Sequence, residues 1–281
     1  MNLEQLLAMD GIEGMEKAEI GVKEKEETPS PNEPFFKTKM LQTIQEVDEY
    51  SWRRGEIGGL DWGFESLNKA FEGLNTGVHL IAGQSNVGKS GMCMQLAWQI
   101  AHANREVSEK KPRKAFVLYF SLDDNNNELL PRLVAIDQRI PINAVRFPKK
   151  YQDDVHIMQR REIGFQRLRE SVMHFAMMDV NEGSDIEYIE ETAERYAFEL
   201  AKIDPAYQIV IFIDNFHDIT VRDIKFGTDS NSKYDYIADQ LSRIATKFDC
   251  PIICTAEFRK LNGNRRPKLD DIRELTYAGS R

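Results

Sequence analysis

The sequence predicts one α/β domain over roughly 55–281, with a mainly parallel central sheet flanked by helices. Two observations carry this expectation. Five short apolar runs alternate with segments of helical periodicity. The first run passes through a glycine-containing loop straight into a helical segment, the order of a strand–loop–helix unit.

The chain approaches that domain in two steps. Residues 1–34 carry nine acids and three lysines, which is −6 of the net −9, so the remaining residues hold only −3. They lack sustained apolar periodicity and include EKEETPSPNEP, so they read as a disordered acidic tail with a short apolar patch at Leu3, Leu6 and Leu7. From Phe36 the pattern changes. Phe36, Met40, Ile44 and Val47 form one stripe of a helix, assigned to 35–54. Its apolar face needs cover, either by folding back on its own domain or by lying on a neighbouring subunit. The Gly-rich stretch GEIGGLDWGF follows.

The five runs are VHLIAG (78–83), FVLYFSL (116–122), HFAMMDV (174–180), QIVIFID (208–214) and PIICTAE (251–257). Near-continuous apolar character predicts strands buried on both faces. Ile186, Ile189, Ala193, Ala197 and Leu200 mark a helix before the fourth run. Ile237, Leu241, Ile244 and Phe248 mark another before the fifth.

GQSNVGKS, residues 83–90, fits the phosphate-loop pattern and stands in the required context, after a strand and opening a helix. Gly83 and Gly88 let the backbone of Gln84, Ser85, Asn86 and Val87 turn its N–H groups inward, and the helix N-terminus adds a positive dipole end. Lys89 is expected to reach the β- and γ-phosphates of ATP, and Ser90 to ligate Mg²⁺. Asp214 ends the fourth run and is the candidate acid orienting Mg²⁺. The second run ends in FSLDD, making Asp123 the candidate base for the attacking water. Asp124 or Asn125 could cap the following helix. Glu257 ends the fifth run and is the candidate for contact with the γ-phosphate site.

FRKLNGNRRPK, residues 258–268, holds Arg259, Lys260, Arg265, Arg266 and Lys268 with no acid. Such a loop beside a nucleotide site suits contact with a nucleic-acid backbone. VRDIKFGTDSNSKYD (221–235) is a second loop on the same face, with Arg222, Lys225 and Lys233 as weaker candidates. Cys93, Cys250 and Cys254 form neither a disulfide framework nor a zinc pattern and are expected as buried hydrophobes. No apolar run approaches the roughly 20 residues that span a bilayer, nor does a signal pattern open the chain, so a soluble cytosolic protein without membrane contact is expected.

The ordered motifs GFESLNKAFEGLNTGVHLIAGQSNVGKS, VLYFSLDD, IVIFIDNFHDI, PIICTAEFRK and RRPKLDDIRE resemble the C-terminal ATPase domain of DnaB-type replicative helicases, in the wider RecA-like group that includes KaiC. The resemblance runs from about Phe36 onward. It implies a RecA-like fold, a homo-oligomer in the form of a hexameric ring, ATP and Mg²⁺, translocation on single-stranded DNA, and contacts with other replication proteins. It makes the 35–54 helix a linker helix that packs on the adjacent subunit, and the basic loops channel loops. Four positions depart from the family pattern. Asp123 replaces Glu, and a carboxylate misplaced by about an ångström can cost on the order of a hundredfold in rate. Glu257 replaces Gln, Arg259-Lys260 replaces Asn-Arg, and His217 stands in place of the glutamine of DYLQ. In the family a primase-binding domain precedes this region, and a strand and hairpin with an arginine finger follow it; the 281 residues hold neither.

Two functional readings result. The first is an ATP-dependent DNA helicase or translocase acting in replication. The second is a nucleotide-sensing switch or helicase-loader protein with weak hydrolysis. Recombinase-like strand handling is a third.

Overall fold

The computed structural model describes residues 35–53, 58–108, 111–222, 230–258 and 271–272. The acidic tail 1–34 and the basic positions Arg259, Lys260, Arg265, Arg266 and Lys268 lie outside them. The chain divides into two units, 1–51 and 52–281. The first contains most of α1 (Phe35–Arg53), whose apolar residues Met40, Leu41, Ile44 and Val47 are all exposed. The expected stripe is therefore present as a helix.

The second unit begins with α2 (Glu65–Phe71) and β1 (Gly77–Gly83), followed by α3 (Lys89–Ala103) and β2 (Lys114–Ser121). Next come α4 (Asn126–Gln138), α5 (Ile142–Arg146), a 3-10 turn at Pro148–Lys150, α6 (Val155–Glu170) and β3 (Phe175–Met178). The chain continues through α7 (Ile186–Ile203), β4 (Tyr207–Asp214), a second 3-10 turn at Phe216–Asp218, α8 (Ser230–Lys247) and β5 (Pro251–Glu257). All strand pairs are parallel, in the order β1-β5-β4-β2-β3.

The period-2 alternation of each strand divides the core into two layers. Phe116, Leu118 and Phe120 of β2, with Ile209, Ile211 and Ile213 of β4, face α7 and α8. Val117 and Tyr119, with Val210 and Phe212, face α3 and α4. Ile186, Ile189, Ala193 and Leu200 are buried as their spacing predicts, and so are Ile237, Leu241 and Ile244. The three cysteines are buried free thiols. Burial pushes the Cys250 thiol up to about 12, and it raises those of Cys93 and Cys254 as well.

Two expectations need correction. β1 is not buried on both faces: Val78 and Leu80 are exposed, because β1 is an outer strand of the five and helix cover thins there. The third strand covers only four of the seven residues at 174–180, since its one partner among the described residues is β2, over Val117–Phe120. The excursion through α5 and α6 carries no strong sequence signal. In α6 only Gly164 is buried, and it permits α6 to lie close on α4: a Cβ there would sit 2.8 Å from Val134 Cγ1. Among the described residues no helix is long and apolar enough to cross a membrane.

Candidate nucleotide site

The site is assembled where β1, β5, β4 and β2 end, because four parallel neighbours present their carboxyl ends along one edge. At β1 the chain leaves the sheet at Gly83 and enters α3 at Lys89. Two residues of the connecting loop have positive φ, Asn86 at 61° and Gly88 at 92°. Gly88 is needed for that conformation rather than for space, since nothing lies within 4 Å of an added Cβ. Gly83 is needed for closeness: a Cβ would meet Val87 Cγ2 at 3.1 Å and Lys89 Cγ at 3.4 Å. No side chain caps the first turn of α3, and its first helical hydrogen bond runs from Met92 N–H to the Gly88 carbonyl. The amides ahead of it face an exposed loop, the arrangement that accepts an anion.

Lys89 lies along this loop. Its ammonium donates to the Gln84 carbonyl at 2.9 Å and stands 3.4 Å from Glu257 Oε1. The second contact follows from register, because Glu257 is the partner of Gly83 in the β1–β5 ladder. The residues expected at the phosphates from the first strand and the fifth are therefore brought together.

Asp214 is 8% exposed and held on both oxygens. The Thr255 hydroxyl donates to Oδ1 at 2.5 Å and the Tyr119 hydroxyl to Oδ2 at 3.2 Å. Burial raises the Tyr119 pKa well above its ordinary value, which keeps that proton in place for donation. Two donors on a buried carboxylate orient it without neutralising it. With the Ser90 hydroxyl, Asp214 offers the donor set that Mg²⁺ takes at nucleotide sites, one carboxylate and one hydroxyl completed by phosphate oxygens and water.

Asp123 lies two residues beyond Ser121, the β2 partner of Asp214, and is exposed. The helix cap is Asn125, whose side chain accepts from Asn127 N–H at 3.0 Å. Asp124 pairs with Arg132 of the same helix. Of the three polar residues in that turn, Asp123 is the one left facing the crevice edge.

Two residues were not singled out for this site by spacing. Asp218 is raised by its own burial and by the nearby charges of Asp123, Asp214 and Glu257, with the Asn215 amide opposing. The four carboxylates therefore converge on one crevice. His217 accepts a hydrogen bond from the Glu257 main chain. Its sequence signal was only a departure from a family residue. Of the weaker nucleic-acid candidates, Arg222 is committed to Asp185 and Glu191 at 2.7 and 2.8 Å, and Lys233 lies over the Tyr234 ring. Lys225 lies outside the described residues.

The family model of the DnaB-like helicase C-terminal domain matches residues 59–277. Among solved structures, the isolated ATPase domain of a DnaB-like helicase superimposes with a TM-score of 0.67 at 17% identity, covering 86% of this chain and 79% of that one. A DnaB-like replicative helicase, described with its interactions with primase, gives 0.65 at 17% identity over 86% of this chain. The match takes in 54% of that replicative helicase, so the chain spans about half its length. A comparison with curated proteins gave no match.

Proposed function

The chain belongs to the family of DnaB-like helicase C-terminal domains, and from that premise we propose that it is an ATP-hydrolysing motor that moves on single-stranded DNA. The observation that carries the reading is the shared crevice: Lys89 on the phosphate loop, its neighbour Glu257, and the doubly held Asp214 at adjoining strand ends. Main-chain amides of 84–88 and the α3 N-terminus bind the phosphates, and Lys89 leaves Glu257 to pair with the β- and γ-phosphoryl oxygens. Ser90 and Asp214 hold Mg²⁺, which neutralises charge on the phosphates when bound. Asp123 orients the attacking water and takes its proton.

The subunits form a homo-oligomeric ring, with α1 laying its exposed apolar residues on the adjacent subunit. The basic segment 258–268 tracks the DNA backbone. Other replication proteins are further partners, as primase is for the replicative helicase described above. The test is Mg²⁺-dependent ATP turnover of the chain with and without single-stranded DNA. Turnover raised by DNA is expected; binding of ATP with no turnover in either condition would remove the motor reading.

One observation favours a second reading. Lys89 is already engaged by a carboxylate where the family pattern has Gln, and Asp123 is shorter than the family's Glu. A nucleotide-sensing switch with slow hydrolysis would tolerate both. It predicts that Asp123→Glu does not accelerate turnover, while ATP still changes the mass measured by light scattering.

A further inference from the structure

The ladder between β4 and β5 ends early. Ile211, Phe212 and Ile213 pair with Ile252, Ile253 and Cys254, whereas β1 follows β5 as far as Gly83 opposite Glu257. In a parallel strand successive N–H groups point to opposite sides. Phe258 N–H donates toward β1, to the Gly83 carbonyl at 3.0 Å, so Glu257 N–H points toward β4, where the ladder has stopped. A half-buried amide there requires an acceptor. The acceptor is Nε2 of His217, at 3.1 Å.

We propose that His217 is the positioning residue for Glu257: its ring nitrogen fixes the Glu257 main chain and so aims the carboxylate at Lys89 and the nucleotide. The inference rests on reading the crevice as an ATPase site. Glu257 is then held from two sides, by the β1 ladder and by the imidazole. The imidazole is itself held. Its main-chain N–H donates to Asn215 Oδ1 at 2.8 Å, and its ring meets those of Phe216 and Tyr234 edge-on, both at 5.7 Å between centroids. Phe216 is 2% exposed, so the ring leans on the core rather than on a mobile neighbour. Accepting at Nε2 places the proton of the neutral ring on Nδ1. The contact runs to main chain and not to the Glu257 side chain, so the carboxylate remains free to exchange Lys89 for water or phosphate while its base stays put. Tyr234 belongs to α8. The start of that helix therefore bears on Glu257 through one aromatic ring.

Three variants separate the acceptor from the ring. His217→Phe keeps the aromatic contacts without an acceptor, His217→Gln offers an amide oxygen without the ring, and His217→Ala removes both. Two readouts are taken on the folded chain: hydrogen exchange at the Glu257 amide, and kcat and KM for ATP. With Phe and Ala, Glu257 protection is expected to fall about tenfold or more and kcat on the order of tenfold to a hundredfold, with KM changed less than about threefold. With Gln, both are expected within about threefold of the unsubstituted chain. Wild-type protection and kcat in His217→Phe, or a Gln variant as impaired as the Phe one, would overturn the proposal. An unsubstituted chain with no turnover would instead defeat the ATPase reading, and Glu257 exchange would still judge His217.

Discussion

Glu257 holds Lys89: Oε1 and Nζ lie 3.4 Å apart, with the lysine side chain 11% and the glutamate 30% exposed. The lysine that should bind phosphate is thus already paired with an anion at the position where phosphate must arrive. Glu257→Gln removes the competing charge and leaves the main-chain contact to His217 intact. ATP affinity is expected to rise about two- to fivefold, the range of a partly exposed ion pair. Titration with a fluorescent ATP analogue checks this; an unchanged dissociation constant would place the carboxylate away from the bound phosphates. This substitution acts on affinity, whereas the His217 variants act on kcat.

Thr255 is fully buried and donates to the buried Asp214. Thr255→Val preserves shape and removes the hydroxyl, leaving Asp214 with Tyr119. Stability is expected to fall by about 1–3 kcal/mol, the cost of a lost hydrogen bond to a buried charged group. A denaturant melt measures that cost. A Mg²⁺ titration of turnover should shift to higher concentration, because one of the two donors orienting the carboxylate is gone.

Gly164 lies where α6 meets α4. A Cβ would approach Val134 Cγ1 to 2.8 Å and Gln138 Cγ to 2.9 Å, and Val134 is fully buried and cannot yield. Gly164→Leu is expected to cost about 1–3 kcal/mol through overpacking. Gly164→Ala gains roughly 1 kcal/mol of helix propensity against a smaller clash, so its net change should be smaller. Urea unfolding of the two variants gives the order; a Leu variant as stable as the Ala variant would show that the helices can separate freely.

His102 and His174 both have folded pKa values below the ordinary one. Burial is the leading cause for each. Arg105 and Arg167 add to it at His102, and Arg105 and Lys114 at His174, while backbone hydrogen bonding opposes it in both. The unfolded chain therefore binds these protons first. Stability from the neutral rings is present above about pH 6.5 and is lost as pH falls through the folded values. The melting temperature should drop by a few degrees between about pH 7 and 5.5. His102→Gln, which still offers Arg105 an acceptor, should flatten that slope. A slope unchanged by the substitution would assign the acid sensitivity elsewhere.

Much of the candidate site was legible because its parts are local. Strand, Gly-containing loop and helix are contiguous at 83–90, and a run of β-type hydrophobes ending in an acid marks Asp214 without any tertiary knowledge. Asp123 was separable from a cap only in the structure, because Asp and Asn at a strand end serve either role until one is seen to bond the helix amides. α5 and α6 escaped notice because α6 buries a single glycine, which leaves almost no apolar stripe to detect.

By itself the sequence determined the α/β class, the five strands, the two amphipathic helices α7 and α8, and the phosphate loop. Hydrophobic period and glycine placement act within a few residues, so they can be seen in a single chain. Only the tertiary structure decided strand order, and with it which residues meet. Gly83 and Glu257 are far apart in sequence and adjacent in register, so Lys89 finds Glu257 rather than water. Tyr119 and Thr255 come from two different strands to hold Asp214, and His217 replaces a ladder bond that β4 no longer supplies. Those contacts depend on how parallel strands are shuffled between crossovers, which no local pattern encodes.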